Sequence, residues 1–217
     1  MHKTVVAARL IVAQTAWVTT PIAVFLAMML QVVCTTFSSI AHNTAGVVDA
    51  IEKIDCCDST RVFTFDVENL YGCINQARAV AVIRAALIKH YTRYPVPMWG
   101  ALIEFILSLL VIVFEAQFCV YSMQGQTSYW LQHLGVSTGL PCGTQIANLL
   151  LQAPDLTIAS SFRADIDLYK RYIDDILIVA RNIQAGRLVC LTSLTFKFAS
   201  RMTHKMPKTQ GIVPFGI

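Results

Sequence analysis

The stretch LYKRYIDDILIV, Leu168 to Val179, sets two adjacent carboxylates, Asp174 and Asp175, between two largely apolar runs. Leu168–Ile173 and Ile176–Ala180 have strand length and strand composition, which predicts a hairpin with the Asp pair at its tip. Asp is at home in tight turns, so local chemistry agrees with the pattern. Taken alone, the pair reads as an exposed turn. A second meaning needs a further carboxylate brought to the same place by another strand.

Upstream, RVFTFDV, Arg61 to Val67, is rich in β-branched and aromatic residues and predicts a strand with Phe63 and Phe65 on one face and Val62, Thr64 and Asp66 on the other. If this strand neighbours the hairpin, three carboxylates converge. They repel one another, and apolar surroundings raise that cost unless a cation is present. Oxygen donors suit Mg²⁺ or Mn²⁺. Two such ions about 4 Å apart activate an attacking hydroxyl and stabilise a leaving oxygen in phosphoryl transfer.

The composition limits the alternatives. Of 217 residues, 55% are hydrophobic and 14% charged, and the mean hydropathy is +0.57, so a membrane protein is the natural rival. Leu10 to Cys34 carries no charge and follows Lys3 and Arg9, which suits a signal anchor. Against this, Gln14, Thr15, Thr19, Thr20 and Pro21 split it into a β-type run, Leu10–Ala13, and a helix, Ile22–Val33, of buried-core length. Ala101 to Tyr121 is the second candidate span, weakened by Glu104 and Glu115. A net charge of +4 permits a polyanionic partner without demanding one. Seven cysteines with no CxxC spacing indicate neither a disulfide framework nor zinc, and a reducing compartment, nucleus or cytoplasm, follows. Cys56 and Cys57 read as small apolar fillers near a loop.

Between these landmarks, Gln76–His90 and Trp99–Phe118 predict helices separated by the breaker YPVP. Phe118–Leu134 alternates as a hairpin does. GVSTGLPCGTQIANLLLQ, Gly135 to Gln152, leads through three glycines and a proline into a helix over about Thr144–Ala153.

In that order, FTFDVENLY, GVSTGLPCGTQIANLLL and YKRYIDDILIV resemble motifs A, B and C of reverse transcriptases. The similarity is greatest to the Penelope-like retroelement group, itself related to the telomerase catalytic subunit. HKTVVAARLIV near the N-terminus resembles the family's finger segment, TTPIAVFLAMML the helix after it, and VPFGI a decayed form of a later Phe-Leu-Asp segment. The resemblance implies an α+β fold: a polymerase right-hand palm, an antiparallel sheet with helices packed on one face. Residues 1–58 would be partial fingers and the fingers–palm connection, and residues 59–217 the palm, with the thumb missing. It also implies that the apolar N-terminal helix is buried in protein, with no stable membrane insertion.

The implied activity is RNA-directed DNA polymerisation, with an RNA template, a DNA primer and a dNTP as partners and two Mg²⁺ ions, or Mn²⁺, as cofactor. Asp66 and Asp174 would be the principal catalytic metal ligands, the Val67 carbonyl would complete one shell, and Asp175 would be the peripheral carboxylate. Tyr71 would be a steric gate against a 2′-hydroxyl; an ordinary core tyrosine explains it equally well. Arg9, assisted by Lys3, would contact the triphosphate. Gly139 would let template and nucleotide approach the backbone, where a plain turn glycine is the alternative. Lys170 and Arg171 would touch the primer backbone, or form a solvated strand edge.

The chain departs from the family pattern at Leu10, Thr138, PCGTQ and PFGI. These departures suggest a truncated or partly degenerate copy. A catalytically inactive nucleic-acid-binding remnant and a small membrane protein stand as the alternatives.

Overall fold

A computed structural model describes residues 14, 17–91, 98–123, 126–182, 184 and 202–205. The predicted strand Leu10–Ala13, the finger residues Lys3 and Arg9, and the C-terminal VPFGI lie outside the described residues.

The first helix, α1 (Thr20–Cys34), starts on Pro21, whose fixed φ suits a first turn. Ala23, Leu26, Leu30 and Val33 recur at helical spacing and are buried. A short helix that the apolar pattern did not announce, α2 (Thr44–Glu52), is capped by the Asn43 side chain, which accepts from the Gly46 N–H at 2.7 Å. None of its residues is buried. The strand β1 (Arg61–Val67) follows, with Phe63, Phe65 and Val67 buried as the alternation required. A 3₁₀ turn (Tyr71–Cys73) leads to α3 (Gln76–Tyr91), and α4 (Trp99–Glu115) packs beside it.

α4 ends before the predicted Phe118. Gln117, fully buried, accepts the Ser137 N–H at 2.8 Å, which pins the chain there, and Phe118 opens β2 (Phe118–Met123). This strand pairs antiparallel with β3 (Gln126–Leu131), the predicted hairpin. The next helix, α5 (Gly143–Ser161), runs eight residues past the predicted end, with Pro154 inside it. Proline removes one backbone hydrogen bond, but Pro154, Asp155 and Ile158 are all buried, and tertiary packing overrides the local break.

The second hairpin is β4 (Ile166–Tyr172) and β5 (Asp175–Ala180). β5 pairs antiparallel with β1, and β6 (Met202–Lys205) lies on the other side of β1, giving the order β4-β5-β1-β6. One sheet face, with Phe63, Phe65, Ile176 and Ile178, joins α1, α3, α4 and α5 in a single core. The other leaves Val62 half exposed. The fold is therefore α+β, an antiparallel sheet with helices against one face. α5 sits at its centre, packed against α1 and α3.

Among the described residues no helix is long and apolar enough to cross a membrane. In α4, Glu104 is exposed and forms an ion pair with Arg84 of α3, which accounts for a charge within that apolar run.

Cys56 and Cys57 are exposed, which corrects their reading as apolar fillers. The loop turns them outward, and hydrogen bonds with Ser59 and Thr60 bring the Cys57 thiol down to about 7. Burial pushes Cys34 and Cys142 up to about 12. Iodoacetamide at neutral pH is therefore expected to label Cys57 well before Cys34 or Cys142 in the folded chain, because the thiolate is the nucleophile. Peptide mass spectrometry after short labelling checks this, and equal labelling of the three refutes it.

Candidate active site

The antiparallel register of β1 and β5 sets Asp66 directly opposite Asp175. Directly opposed residues share a sheet face, so both side chains leave from the face away from the core. Asp66 is half-buried and Asp175 exposed. At the next position the Val67 N–H donates to the Asp174 carbonyl at 3.0 Å. The convergence inferred from the sequence is thus present in the backbone: the end of β1 meets the tip of the β4–β5 hairpin.

The tip is a two-residue connection, Ile173–Asp174, between the paired Tyr172 and Asp175. Ile173 has φ 55°. For a β-branched residue this left-handed conformation is strained by roughly 1–2 kcal/mol, so the surroundings must hold it.

They do so through Arg171. Its side chain is 1% exposed, which corrects its assignment to the primer backbone: it points into the protein. Its Nη1 donates to the Ile173 carbonyl at 2.9 Å and to Asn148 Oδ1 at 2.7 Å. Nε and Nη2 grip the Asp155 carboxylate, at 3.1 and 2.8 Å. Asp155 also accepts from Tyr169 Oη at 2.7 Å and Ser39 Oγ at 3.0 Å. Burial, with the Asp155 charge beside it, holds the Tyr169 phenol well above its usual range. Lys170, by contrast, stays near the surface and donates from Nζ to the Ser38 carbonyl at 2.7 Å.

The third contributor is the loop before α5. Tyr71, in the turn after β1, is half-buried, with its hydroxyl 3.3 Å from Thr144 Oγ1. Burial pushes its phenol up, the Thr144 hydrogen bond opposes this, and the Asp174 carboxylate adds to the rise. Tyr71 therefore stands between the strand end, the first turn of α5 and the hairpin tip. Its carbonyl accepts the Val136 N–H at 2.8 Å, fastening loop to turn.

Gly139, the glycine singled out from the sequence, is exposed in a turn closed by the Leu140 N–H to Ser137 carbonyl bond at 3.0 Å. Two other glycines lie close against Tyr71. Gly135 has φ 83°, and a Cβ there would stand 2.8 Å from the Tyr71 carbonyl oxygen. A Cβ on Gly143 would meet the Tyr71 ring at 3.2 Å. Gly135→Ala is expected to destabilise the chain by about 2 kcal/mol or more, since conformational strain adds to a backbone clash. Urea unfolding checks this, and a change below about 0.5 kcal/mol refutes it.

Among the described residues no three His, Cys, Asp or Glu side chains form a metal-holding group. The donors present are hard carboxylates on an open face. That set fits Mg²⁺, which is commonly held by one or two carboxylates with the remaining positions filled by water and substrate phosphates. Asp155 and Asn148 were missed by the sequence reading: a polar residue just after a helical proline carries no sign of burial.

Neither the known protein-family descriptions nor the curated protein sequences contain a match to the chain. Solved structures do. The chain superposes on apo telomerase from Candida tropicalis truncated from its C-terminal domain, with a TM-score of 0.60 and 13% identity, over 91% of this chain and 42% of that one. It also superposes on telomerase from Candida albicans in complex with the TWJ fragment of telomeric RNA, with a TM-score of 0.64 and 13% identity, over 88% of this chain and 36% of that one. At such identity the likeness establishes the fold alone, one shared with these telomerase structures. The chain spans less than half the length of these relatives.

Proposed function

We propose that the chain is the palm, with part of the fingers, of an RNA-directed DNA polymerase of Penelope-like retroelement type. The observation that carries this reading is the pairing of Asp66 with Asp175, next to Asp174 in the hairpin connection, within a telomerase-like fold and in the chain order of motifs A, B and C. Residues 59–217 would form the palm, working in the nucleus or cytoplasm. The partners are an RNA template, a DNA primer and a dNTP. The RNA partner draws support from the telomeric RNA fragment in the Candida albicans complex.

Asp66, Asp174 and the Val67 carbonyl would hold two Mg²⁺ or Mn²⁺ ions, with Asp175 beside them. When bound, the ions lower the pKa of the primer 3′-hydroxyl and offset charge at the α-phosphate and the leaving pyrophosphate. The chain's own contribution is positioning. Tyr71, fixed by Thr144 and the Gly143 contact, closes the floor where a 2′-hydroxyl would sit. Gly139 keeps the loop surface low for template and nucleotide. Arg9 and Lys3 are assigned to the triphosphate. Lys170 retains donors beyond the one given to Ser38 and is assigned to the primer phosphates. Arg171 has no such role.

The test is primer extension on an RNA template with Mg²⁺ or Mn²⁺, comparing wild type with Asp174→Ala. Incorporation is expected to fall by at least about 100-fold. Equal incorporation by the two proteins refutes the assignment.

A further inference from the structure

We infer that Arg171 is a positioning residue that fixes the direction in which Asp174 leaves the backbone, by tethering the peptide before it to α5. The consequence for catalysis rests on the polymerase reading above; the tether itself does not.

Asp174 is flanked by two peptide units, and each is held. The preceding unit presents the Ile173 carbonyl, which accepts from Arg171 Nη1 at 2.9 Å. The following unit presents the Asp174 carbonyl, which accepts from the Val67 N–H at 3.0 Å. Peptide units are planar, so fixing both carbonyls leaves the Asp174 Cα little freedom to rotate. The first hold matters more, because Ile173 at φ 55° favours relaxing toward negative φ, which would swing that carbonyl away.

The guanidinium resists because it is itself over-determined. Its planar fork meets Asp155 through Nε and Nη2 and Asn148 through Nη1, all on α5. Asp155 is oriented by Tyr169 and Ser39. The helix that begins at the Tyr71 contact thus also sets the hairpin tip, through one buried side chain. Lysine keeps the charge beside Asp155 but has no planar fork, and cannot reach Asp155, Asn148 and the Ile173 carbonyl together. Arg171→Lys therefore releases the tip while the charge pair survives, where Arg171→Ala risks unfolding the chain.

Amide hydrogen exchange reads the tether without any substrate. In Arg171→Lys the Val67 amide is expected to exchange about 10-fold faster than in wild type, while amides in the middle of β1 and β5 stay within about twofold. Unchanged protection at Val67 overturns the inference, and so does a uniform rise across the sheet, which would mark Arg171 as a stabiliser only. In primer extension the same variant should need about 10-fold more Mg²⁺ for half-maximal rate, with the dNTP KM within about twofold. An unchanged Mg²⁺ requirement overturns the catalytic consequence. If the wild-type chain extends no primer, the polymerase reading fails, and the exchange result still decides the tether.

Discussion

Asp155→Ala is expected to lower the unfolding free energy by about 3–5 kcal/mol. The carboxylate is almost fully buried against an Arg171 side chain that is equally buried. Removing it leaves a buried guanidinium without its counter-charge. Tyr169 Oη and Ser39 Oγ also lose their acceptor, and each buried unsatisfied group adds to the penalty. An internal control is available in Glu104, whose ion pair with Arg84 lies at the surface. Glu104→Ala should change stability by less than about 1 kcal/mol. Urea unfolding of both variants gives the contrast directly, provided the slope with denaturant is unchanged. Comparable losses in the two would show that burial of the Arg171 pair carries no special energetic weight.

The elements that sequence made legible are those in which one local pattern sufficed. The alternation in RVFTFDV places Phe63 and Phe65 in the core, as found. Spacing and Pro21 locate α1, and the turn chemistry of two aspartates locates the β4–β5 hairpin to within one residue, the connection being Ile173–Asp174 with Asp175 already paired in β5. Misreadings occur where a distant contact outweighs the pattern. α5 continues through Pro154 because its second half is buried, and α4 stops short because Gln117 is engaged by the Ser137 N–H. Neither partner is near in sequence.

The site divides the same way. Meeting of Asp66 with the Asp pair was inferable, because strand and hairpin each presented a carboxylate at an end. The true place of Arg171 was not. A register shift in β4 between Ile166 and Leu168 alters which positions face inward, so Ile166, Tyr169 and Arg171 are all buried. One extra residue reverses the parity of a strand, and nothing in YKRY announces it. Gly135 escaped for a related reason. Its positive φ and its approach to the Tyr71 carbonyl depend on how the loop crosses the turn after β1, while the glycine matched to motif B, Gly139, lies at the surface.

Asp66→Asn is expected to move stability and activity in opposite directions. Without divalent ions, Asp66 and Asp175 are like charges opposed across two strands, an arrangement that destabilises by about 0.2–1 kcal/mol. Neutralising one should raise the unfolding free energy by about that amount, and added monovalent salt should narrow the difference by screening the wild-type repulsion. Incorporation in primer extension should fall by about 10³-fold on the proposed reading, because the amide brings no charge to a site proposed to hold cations. Mg²⁺ is expected to link the two effects: binding to the folded state alone raises the wild-type Tm with the logarithm of free Mg²⁺ above its Kd, whereas the variant's Tm should scarcely respond. If Asp66→Asn instead unfolded at lower temperature and still extended primers, Asp66 would be a structural residue of the strand end, and the carboxylates at the tip would be the exposed turn they resembled in isolation. On the proposed reading, the repulsion between Asp66 and Asp175 is the cost of a charge kept at the strand end for cations, and the two opposed shifts of Asp66→Asn are what that reading requires.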